Sequence, residues 1–109
     1  MHELAITESL VDCVSEQVGD ARVLHVVVEV GALSGVVPDA IRACFDICSK
    51  GTALDGALLD VVTIEGAGRC RSCGRERAVG GLLDCCECGD TELTITRGQE
   101  LRIREVEVI

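Results

Sequence analysis

The cysteines constrain the fold of this chain more than any other residue type. Five of its eight cysteines fall within the twenty residues CRSCGRERAVGGLLDCCECG. Two Cys-x-x-Cys pairs, Cys70/Cys73 and Cys85/Cys88, are separated by eleven residues. A two-residue spacer lets one tight turn direct both sulfurs at a single ion, and two such pairs are typical of a tetrahedral four-thiolate site. The sequence therefore predicts a metal-binding loop held by these four cysteines.

A structural zinc is the favoured occupant of this loop. Four thiolates leave no open coordination position, whereas a catalytic zinc keeps one for water or substrate. A rubredoxin-like iron site shares the Cys-x-x-Cys-Gly repeat but is normally surrounded by aromatic side chains, and Phe45 is the single aromatic residue here. Gly74 and Gly89 follow the two pairs and can adopt the positive φ of such a turn. Nearby basic residues can offset the negative charge of the cluster: Arg69, Arg71, Arg75 and Arg77.

Cys86 does not fit the four-cysteine pattern. It directly follows Cys85, and it is interpreted as a spare thiol in preference to an alternative ligand or an oxidation-prone site. A shift of the ligand by one residue would break the two-residue spacing of the pair.

A chain of 109 residues favours one compact unit. The metal loop cannot bury enough apolar surface to fold alone, so the ion must supply folding free energy there. We expect an α/β domain formed by residues 1–66 and 94–109, with a zinc-binding loop subdomain at 67–93 inserted between its strands.

Hydrophobic periodicity predicts alternating helices and strands. Leu4–Val18 shows helical spacing, and Arg22–Val30 alternates as a strand with one buried side. A second helix begins near Pro38 and ends at Gly51, and Leu58–Glu65 has strand composition.

The last segment, Leu93–Ile109, is also strand-like, but its apolar parity changes after Ile103. This change predicts a β-bulge near Arg104–Glu105 if one face stays buried. The expected fold class is α/β (α+β): a small mixed three-stranded sheet with two helices, plus an inserted zinc-ribbon-like loop with four cysteine ligands.

Four further residues are of types that can bind metals but are not expected to do so here. Cys13, Cys44 and Cys48 fall on apolar helical faces and are expected to be small buried hydrophobic residues. His25 has the polar parity of its strand, which favours a partly exposed surface histidine.

Charge and composition exclude several functions. A net charge of −9 and a pI near 4.5 argue against nucleic-acid binding. The start has no basic segment followed by an apolar run, and no eighteen apolar residues occur together, so we expect a cytoplasmic protein without membrane contact. With two histidines and no nucleophile beside a base, an enzyme is not expected.

The first three residues, Met1, His2 and Glu3, offer a second kind of metal site. A terminal amine, the amide nitrogen of residue 2 and the His2 imidazole can form five- and six-membered chelate rings around one ion. Such a planar nitrogen set suits Ni(II) or Cu(II), and Glu3 can complete or flank it. Any chain with histidine at position 2 has these atoms, so the pattern alone is weak.

Together these features resemble the HypA/HybF family of nickel metallochaperones. The resemblance rests on the Met-His-Glu start, GALSGVVPDAIRACFD, the two CxxCG pairs and the closing GQELRIREVEV. It covers nearly the whole chain. It implies nickel at Met1, His2 and Glu3, and zinc at Cys70, Cys73, Cys85 and Cys88. The family commonly has proline where this chain has Cys86, which affects loop stiffness and thiol reactivity.

The resemblance also implies a function and partners. Members deliver nickel for maturation of nickel–iron hydrogenase, in some organisms also toward urease, with a nickel-handling GTPase. The hydrogenase large subunit precursor is the implied client. The first helix is the expected GTPase contact because it adjoins the proposed nickel site. The chain itself is expected to be a monomer or weak dimer. The alternative is a zinc-ribbon interaction or regulatory module without nickel delivery.

Overall fold

The computed structural model describes residues 3–80 and 93–109, which form two helices and six strands. The elements in chain order are α1 (Glu3–Val18), β1 (Val23–Gly31), α2 (Pro38–Cys48), β2 (Leu58–Ile64), β3 (Ala67–Cys70), β4 (Glu76–Ala78), β5 (Leu93–Arg97) and β6 (Leu101–Val108).

The first sheet is mixed, with strand order β2-β1-β6. β1 runs parallel to β2 and antiparallel to β6, and α2 forms the crossover between the two parallel strands. Parallel neighbours require such a crossover connection. The predicted three-stranded mixed sheet with two helices is therefore confirmed.

The core lies between this sheet and the two helices. α1 buries Thr7, Val11 and Val14, and α2 buries Ile41 and Phe45. Thr7 is polar, but its hydroxyl donates to the Glu3 carbonyl at 2.7 Å, which removes most of the cost of burial.

The buried face of α1 is rotated from the predicted one. Ile6 and Leu10 are only partly buried, and Cys13 is exposed, so the expectation that Cys13 is a buried hydrophobic residue is wrong. Cys44 and Cys48 are half-buried. The predicted face rested on the spacing of apolar residues alone. Thr7 is polar and was therefore not assigned to the packed face.

β1 is buried on both sides, which corrects the expected one-sided strand. From Val26 to Gly31 every residue is buried, including Glu29. Arg102 of β6 pairs with the Glu29 carboxylate, which satisfies its charge. A register irregularity between Val23 and His25 turns Val23 inward and leaves Leu24 exposed.

The predicted bulge in the last strand is confirmed. Val27 pairs with Glu105 and Val28 with Ile103, so Arg104 is the extra residue. Leu101, Ile103 and Val106 all pack toward the core. In a regular strand Val106 would face the side opposite to Leu101 and Ile103, and the bulge reverses this.

A second sheet was not predicted. It is antiparallel with order β4-β3-β5. β3 and β4 lie in the expected metal loop, whereas β5 is the beginning of the expected last strand. Leu93–Ile109 is consequently two strands: β5 pairs with β3 in the second sheet, and β6 pairs with β1 in the first. Glycine at position 98 separates them.

The molecule is elongated, with principal extents of 54 × 23 × 17 Å. In the described part of the chain, neither helix is both long and apolar enough to cross a membrane.

Candidate metal centres

The first cysteine pair lies in the turn between β3 and β4. The Gly74 amide donates to the Cys70 carbonyl at 2.9 Å, and the Cys70 amide donates to the Arg75 carbonyl at 2.8 Å. Gly74 has φ +72°, as expected for the glycine after the pair. These bonds close a tight turn over residues 70–75, the knuckle, which contains both cysteines.

The two cysteines of this knuckle differ in exposure. Cys70 ends β3 and is 1% exposed, whereas Cys73 lies on the exposed turn. One buried and one surface thiol are compatible with an ion held at the edge of the second sheet. Around it, Arg69, Arg71 and Arg75 are exposed. Arginines in these positions can stabilise thiolates and lower the charge of a metal cluster.

The neighbouring strands add one ion pair and one unsatisfied donor. Arg97 of β5 pairs with Glu76 of β4 at 3.1 Å, which ties the two outer strands together. The Arg77 Nε is buried without a hydrogen-bond partner.

Cys85, Cys86, Cys88 and Gly89 lie outside the described residues, as do Met1 and His2.

At the other predicted site, Glu3 is the first residue of α1 and is half-buried. The Thr7 hydroxyl donates to the Glu3 carbonyl within the same helix, and the Thr7 side chain is buried. Met1 and His2 directly precede this helix in sequence.

The remaining candidates form no metal site with three or more ligands. Within residues 3–80 and 93–109, no three His, Cys, Asp or Glu side chains are grouped to hold a metal ion. His25 is partly exposed, as predicted, and its Nε2 lies 2.6 Å from the Asp60 carboxylate on β2. Burial raises the pKa of the Cys48 thiol, and the charges of Glu8, Cys44 and Asp12 add to the effect.

Three glycines join the two sheets, a role that the sequence did not predict. A Cβ on Gly31 would lie 2.0 Å from the Gly98 carbonyl oxygen, and one on Gly66 would lie 2.3 Å from the Val79 oxygen. The Leu33 amide donates to the Gly98 carbonyl at 2.6 Å. This glycine junction positions the knuckle relative to the first sheet, and only its glycine content is visible in sequence.

The chain matches the family model for HypA, described as hydrogenase/urease nickel incorporation, metallochaperone, over residues 1–108. It belongs to the HypA family. The hydrogenase maturation factor HypA of Trichormus variabilis is 47% identical over 108 residues, covering 99% of this chain and 96% of the relative. That of Geobacter metallireducens is 47% identical over 109 residues, covering 99% of each.

Solved HypA structures share this fold. The solution structure of the nickel metallochaperone HypA from Helicobacter pylori superposes with a TM-score of 0.71 at 24% identity, covering 100% of this chain and 98% of that one. A second HypA solution structure gives 0.65 at 20% identity, with 97% and 92% covered. At this identity the likeness supports the HypA fold, including the two helices and small sheets, and no more.

Proposed function

We propose that this chain is a nickel metallochaperone that delivers Ni(II) for the maturation of nickel–iron hydrogenase. The observation that carries the proposal is the family match from residue 1 to residue 108. That range contains the Met-His-Glu start and all four paired cysteines. The family description names urease as well, so a urease client is part of the same proposal.

Nickel is the cargo, and we assign its site to Met1, His2 and Glu3. A terminal amine, an amide nitrogen and an imidazole form the planar set that Ni(II) favours. The start of α1 at Glu3 supports this assignment, because the helix holds Glu3 in place directly after the other two residues in sequence. Delivery requires that an ion bound there be accessible to a receiving protein.

Zinc is the proposed resident metal, held by Cys70, Cys73, Cys85 and Cys88. The closed turn at the first pair supports this assignment, as does the chemistry of four thiolates. Leu93 pairs with Cys70 and lies five residues after Cys88 in sequence. Five residues span at most about 17 Å, so the pairing is compatible with four thiolates at one ion. Zinc here stabilises the fold and takes no part in a reaction.

The proposed partners follow from nickel delivery. They are a nickel-handling GTPase and the hydrogenase large subunit precursor, both in the cytoplasm. The chain itself is proposed to catalyse no reaction, and any nucleotide hydrolysis belongs to the GTPase. A zinc-ribbon module without nickel delivery is not favoured, because the family match extends to the first residue and the net charge of −9 opposes nucleic-acid contact.

The test is nickel and zinc quantification on untagged protein. His2→Ala is expected to lose nickel binding with zinc content unchanged, and His25→Ala is the matched control because it removes the other histidine. Cys73→Ser is expected to lose zinc, whereas the exposed Cys13→Ser keeps it. Full nickel affinity in His2→Ala would refute the terminal site.

Delivery is tested in a cell that lacks its own nickel metallochaperone. Wild-type protein is expected to restore hydrogenase activity and His2→Ala is not. Restoration by His2→Ala at equal protein levels would contradict delivery from the terminus.

A further inference from the structure

Two cysteines that the proposed nickel and zinc sites do not use lie one turn apart on α2. Cys44 and Cys48 are both half-buried, and Cys48 packs against the main core. Residues four apart share one face of an α-helix, with their Cβ atoms about 5–6 Å apart. Helical side chains also lean toward the N-terminus, so a side chain at position 48 is directed toward the turn that carries Cys44. The fold therefore presents two neighbouring thiols on one flank of α2.

This spacing suits a bridging ion and does not suit a disulfide. A disulfide needs Cβ atoms about 3.5–4.5 Å apart, which is closer than residues four apart on an intact helix. Two metal–sulfur bonds of about 2.3 Å on opposite sides of an ion separate the sulfurs by about 4.6 Å. α2 stays helical up to Cys48, which is its last residue. A two-coordinate ion therefore fits without unwinding the helix.

The surroundings of the pair are negative. Glu8 and Asp12 of α1 lie close enough to Cys48 for their charges to act on its thiol. Among the described residues, neither carboxylate takes part in an ion pair. Lys50, the nearest basic residue in sequence, is exposed, whereas the last turn of α2 has none and carries the negative end of the helix dipole. This charge distribution favours a cation.

The thiols themselves gain from such a cation. Burial raises the pKa of the Cys48 thiol, and the charges of Glu8, Cys44 and Asp12 raise it further. The last three effects are repulsions between negative charges. A cation bound between the sulfurs relieves these repulsions, and its binding displaces the thiol protons.

The number of ligands selects the ion. Zinc is almost always held by four ligands, and within residues 3–80 and 93–109 no three His, Cys, Asp or Glu side chains are grouped to hold an ion. Thiolates favour soft ions over Mg²⁺ or Ca²⁺. Cu(I) is a soft ion with a filled d shell, and it accepts two thiolates in a linear arrangement.

We propose that Cys44 and Cys48 form a two-thiolate binding site for Cu(I). Binding exchanges two thiol protons for one Cu(I), with no change in oxidation state. The site uses none of the residues proposed to hold nickel or zinc, so this proposal does not depend on the nickel function.

The test is an anaerobic titration of untagged, zinc-loaded protein with Cu(I), with bathocuproine disulfonate as the competing chelator. Zinc loading keeps the proposed four-cysteine site occupied, and released zinc is measured in the same samples. Wild-type protein is expected to bind one Cu(I) per chain before zinc is released. Cys44→Ser and Cys48→Ser are each expected to raise the Kd for this ion by about 100-fold or more, because loss of even an outer partner of a metal ligand costs about 10–100-fold.

Matched variants separate the pair from the other ligands of the chain. Cys13→Ser removes the exposed thiol of α1, Cys86→Ser removes the spare thiol beside the second cysteine pair, and His2→Ala removes the proposed nickel ligand. All three are expected to bind the first Cu(I) like wild type. Since His2→Ala abolishes only the proposed nickel site, failure of the nickel proposal and failure of this one give different results.

A further variant tests the helical geometry at a constant number of thiols. Ala43→Cys combined with Cys44→Ser places the two thiols five residues apart, which is about 140° around the helix. This double variant is expected to bind Cu(I) as weakly as Cys44→Ser alone. Ala43 is exposed, so the new side chain is accommodated. Circular dichroism and melting temperatures establish that each variant is folded.

Two measurements on wild-type protein do not depend on any variant. Copper X-ray absorption of the one-to-one complex is expected to show two sulfur ligands. Iodoacetamide labelling of Cys44 and Cys48 is expected to slow when Cu(I) is bound, whereas labelling of Cys13 is expected to be unchanged.

The proposal is overturned if the first Cu(I) displaces zinc, or if the folded serine variants bind Cu(I) like wild type. Wild-type affinity in the variant with cysteines at positions 43 and 48 also overturns it, because one helical face would then not be required. Three or four sulfur ligands at copper would place the ion elsewhere in the chain.

Discussion

At the residue scale, the glycine junction shows how a single missing Cβ can set the relation between two sheets. Gly31 ends β1, and its amide donates to the Glu100 carbonyl at 2.7 Å. The backbone of Gly98 lies so close that a side chain on Gly31 would overlap it. Backbone atoms cannot move aside as a flexible side chain can, so the position accepts only glycine.

Gly31→Ala is therefore expected to destabilise the protein by roughly 3 kcal/mol or more, since the overlap is with backbone. Gly35→Ala is the matched control: Gly35 has φ +79° and open space around its Cα, so about 1 kcal/mol of backbone strain is expected. Urea denaturation of both variants measures the difference. Equal losses would contradict the close approach.

Glu100, also at this junction, gives a pH-dependent prediction. Hydrogen bonds from its own backbone amide and from that of Gly98 hold the pKa of the Glu100 carboxyl below its usual range. The Gly98 amide donates to Oε1 at 2.6 Å. A carboxyl whose pKa is lowered by folding stabilises the protein above its unfolded pKa, and that contribution is lost as pH falls through the folded pKa.

Glu100→Gln is accordingly expected to be less stable than wild type at about pH 7. The gap should stay constant down to about pH 5 and close as the pH falls below the ordinary glutamate pKa of about 4.3. Denaturation midpoints for the two proteins across this range provide the measurement. A gap that is independent of pH would show that the lost interaction does not require the carboxylate.

At the element scale, the two helices place their thiols in different surroundings. Cys13 is exposed on the flank of α1, whereas Cys48 is half-buried on α2. Burial raises the pKa of the Cys48 thiol, and the nearby Glu8, Cys44 and Asp12 raise it further. The thiolate is the reactive form, so a higher pKa means a slower reaction near neutral pH.

Iodoacetamide at about pH 8 is expected to modify Cys13 before Cys48, at low protein concentration and with zinc bound. Both the exposure of Cys13 and the raised pKa of Cys48 act in this direction. Mass spectrometry of digested samples over time gives the order. Glu8→Gln should speed modification of Cys48 modestly; a Cys48 that reacts as fast as Cys13 would contradict the packing of α1 against α2.

At the scale of the whole molecule, the two sheets differ in how they are stabilised. The first sheet packs against two helices and holds the main core. The second consists of strands of four, three and five residues, and its buried apolar residues in the described region are Ala67, Cys70 and Val79. The burial of these three residues does not by itself offset the entropy of ordering the strands, and the proposed zinc would supply further folding free energy there.

Zinc removal is therefore expected to unfold the second sheet while the first stays folded. Hydrogen exchange should lose protection in β3 and β5 but retain it in β1. The predicted division into residues 1–66 with 94–109 and residues 67–93 is tested by the same experiment. Because β5 pairs with β3, loss of protection is expected to extend to Arg97. Simultaneous loss in β1 would show that the two sheets unfold together.

The sequence by itself determined the tight turn at the first cysteine pair, the two helices, the mixed sheet and the bulge at Arg104. These depend on local spacing: two residues between thiols, helical or alternating periodicity, and a parity change along one strand. The family resemblance was likewise carried by short motifs in fixed order.

Only the tertiary structure decided how distant segments share their surfaces. It divided the last segment between two sheets, buried both sides of β1, and left Cys13 exposed beside β6. It also brought Gly31, Gly66 and Gly98 together. The physical reason is that burial and close approach depend on which strands and helices become neighbours, and hydrophobic periodicity within one segment carries no information about those neighbours.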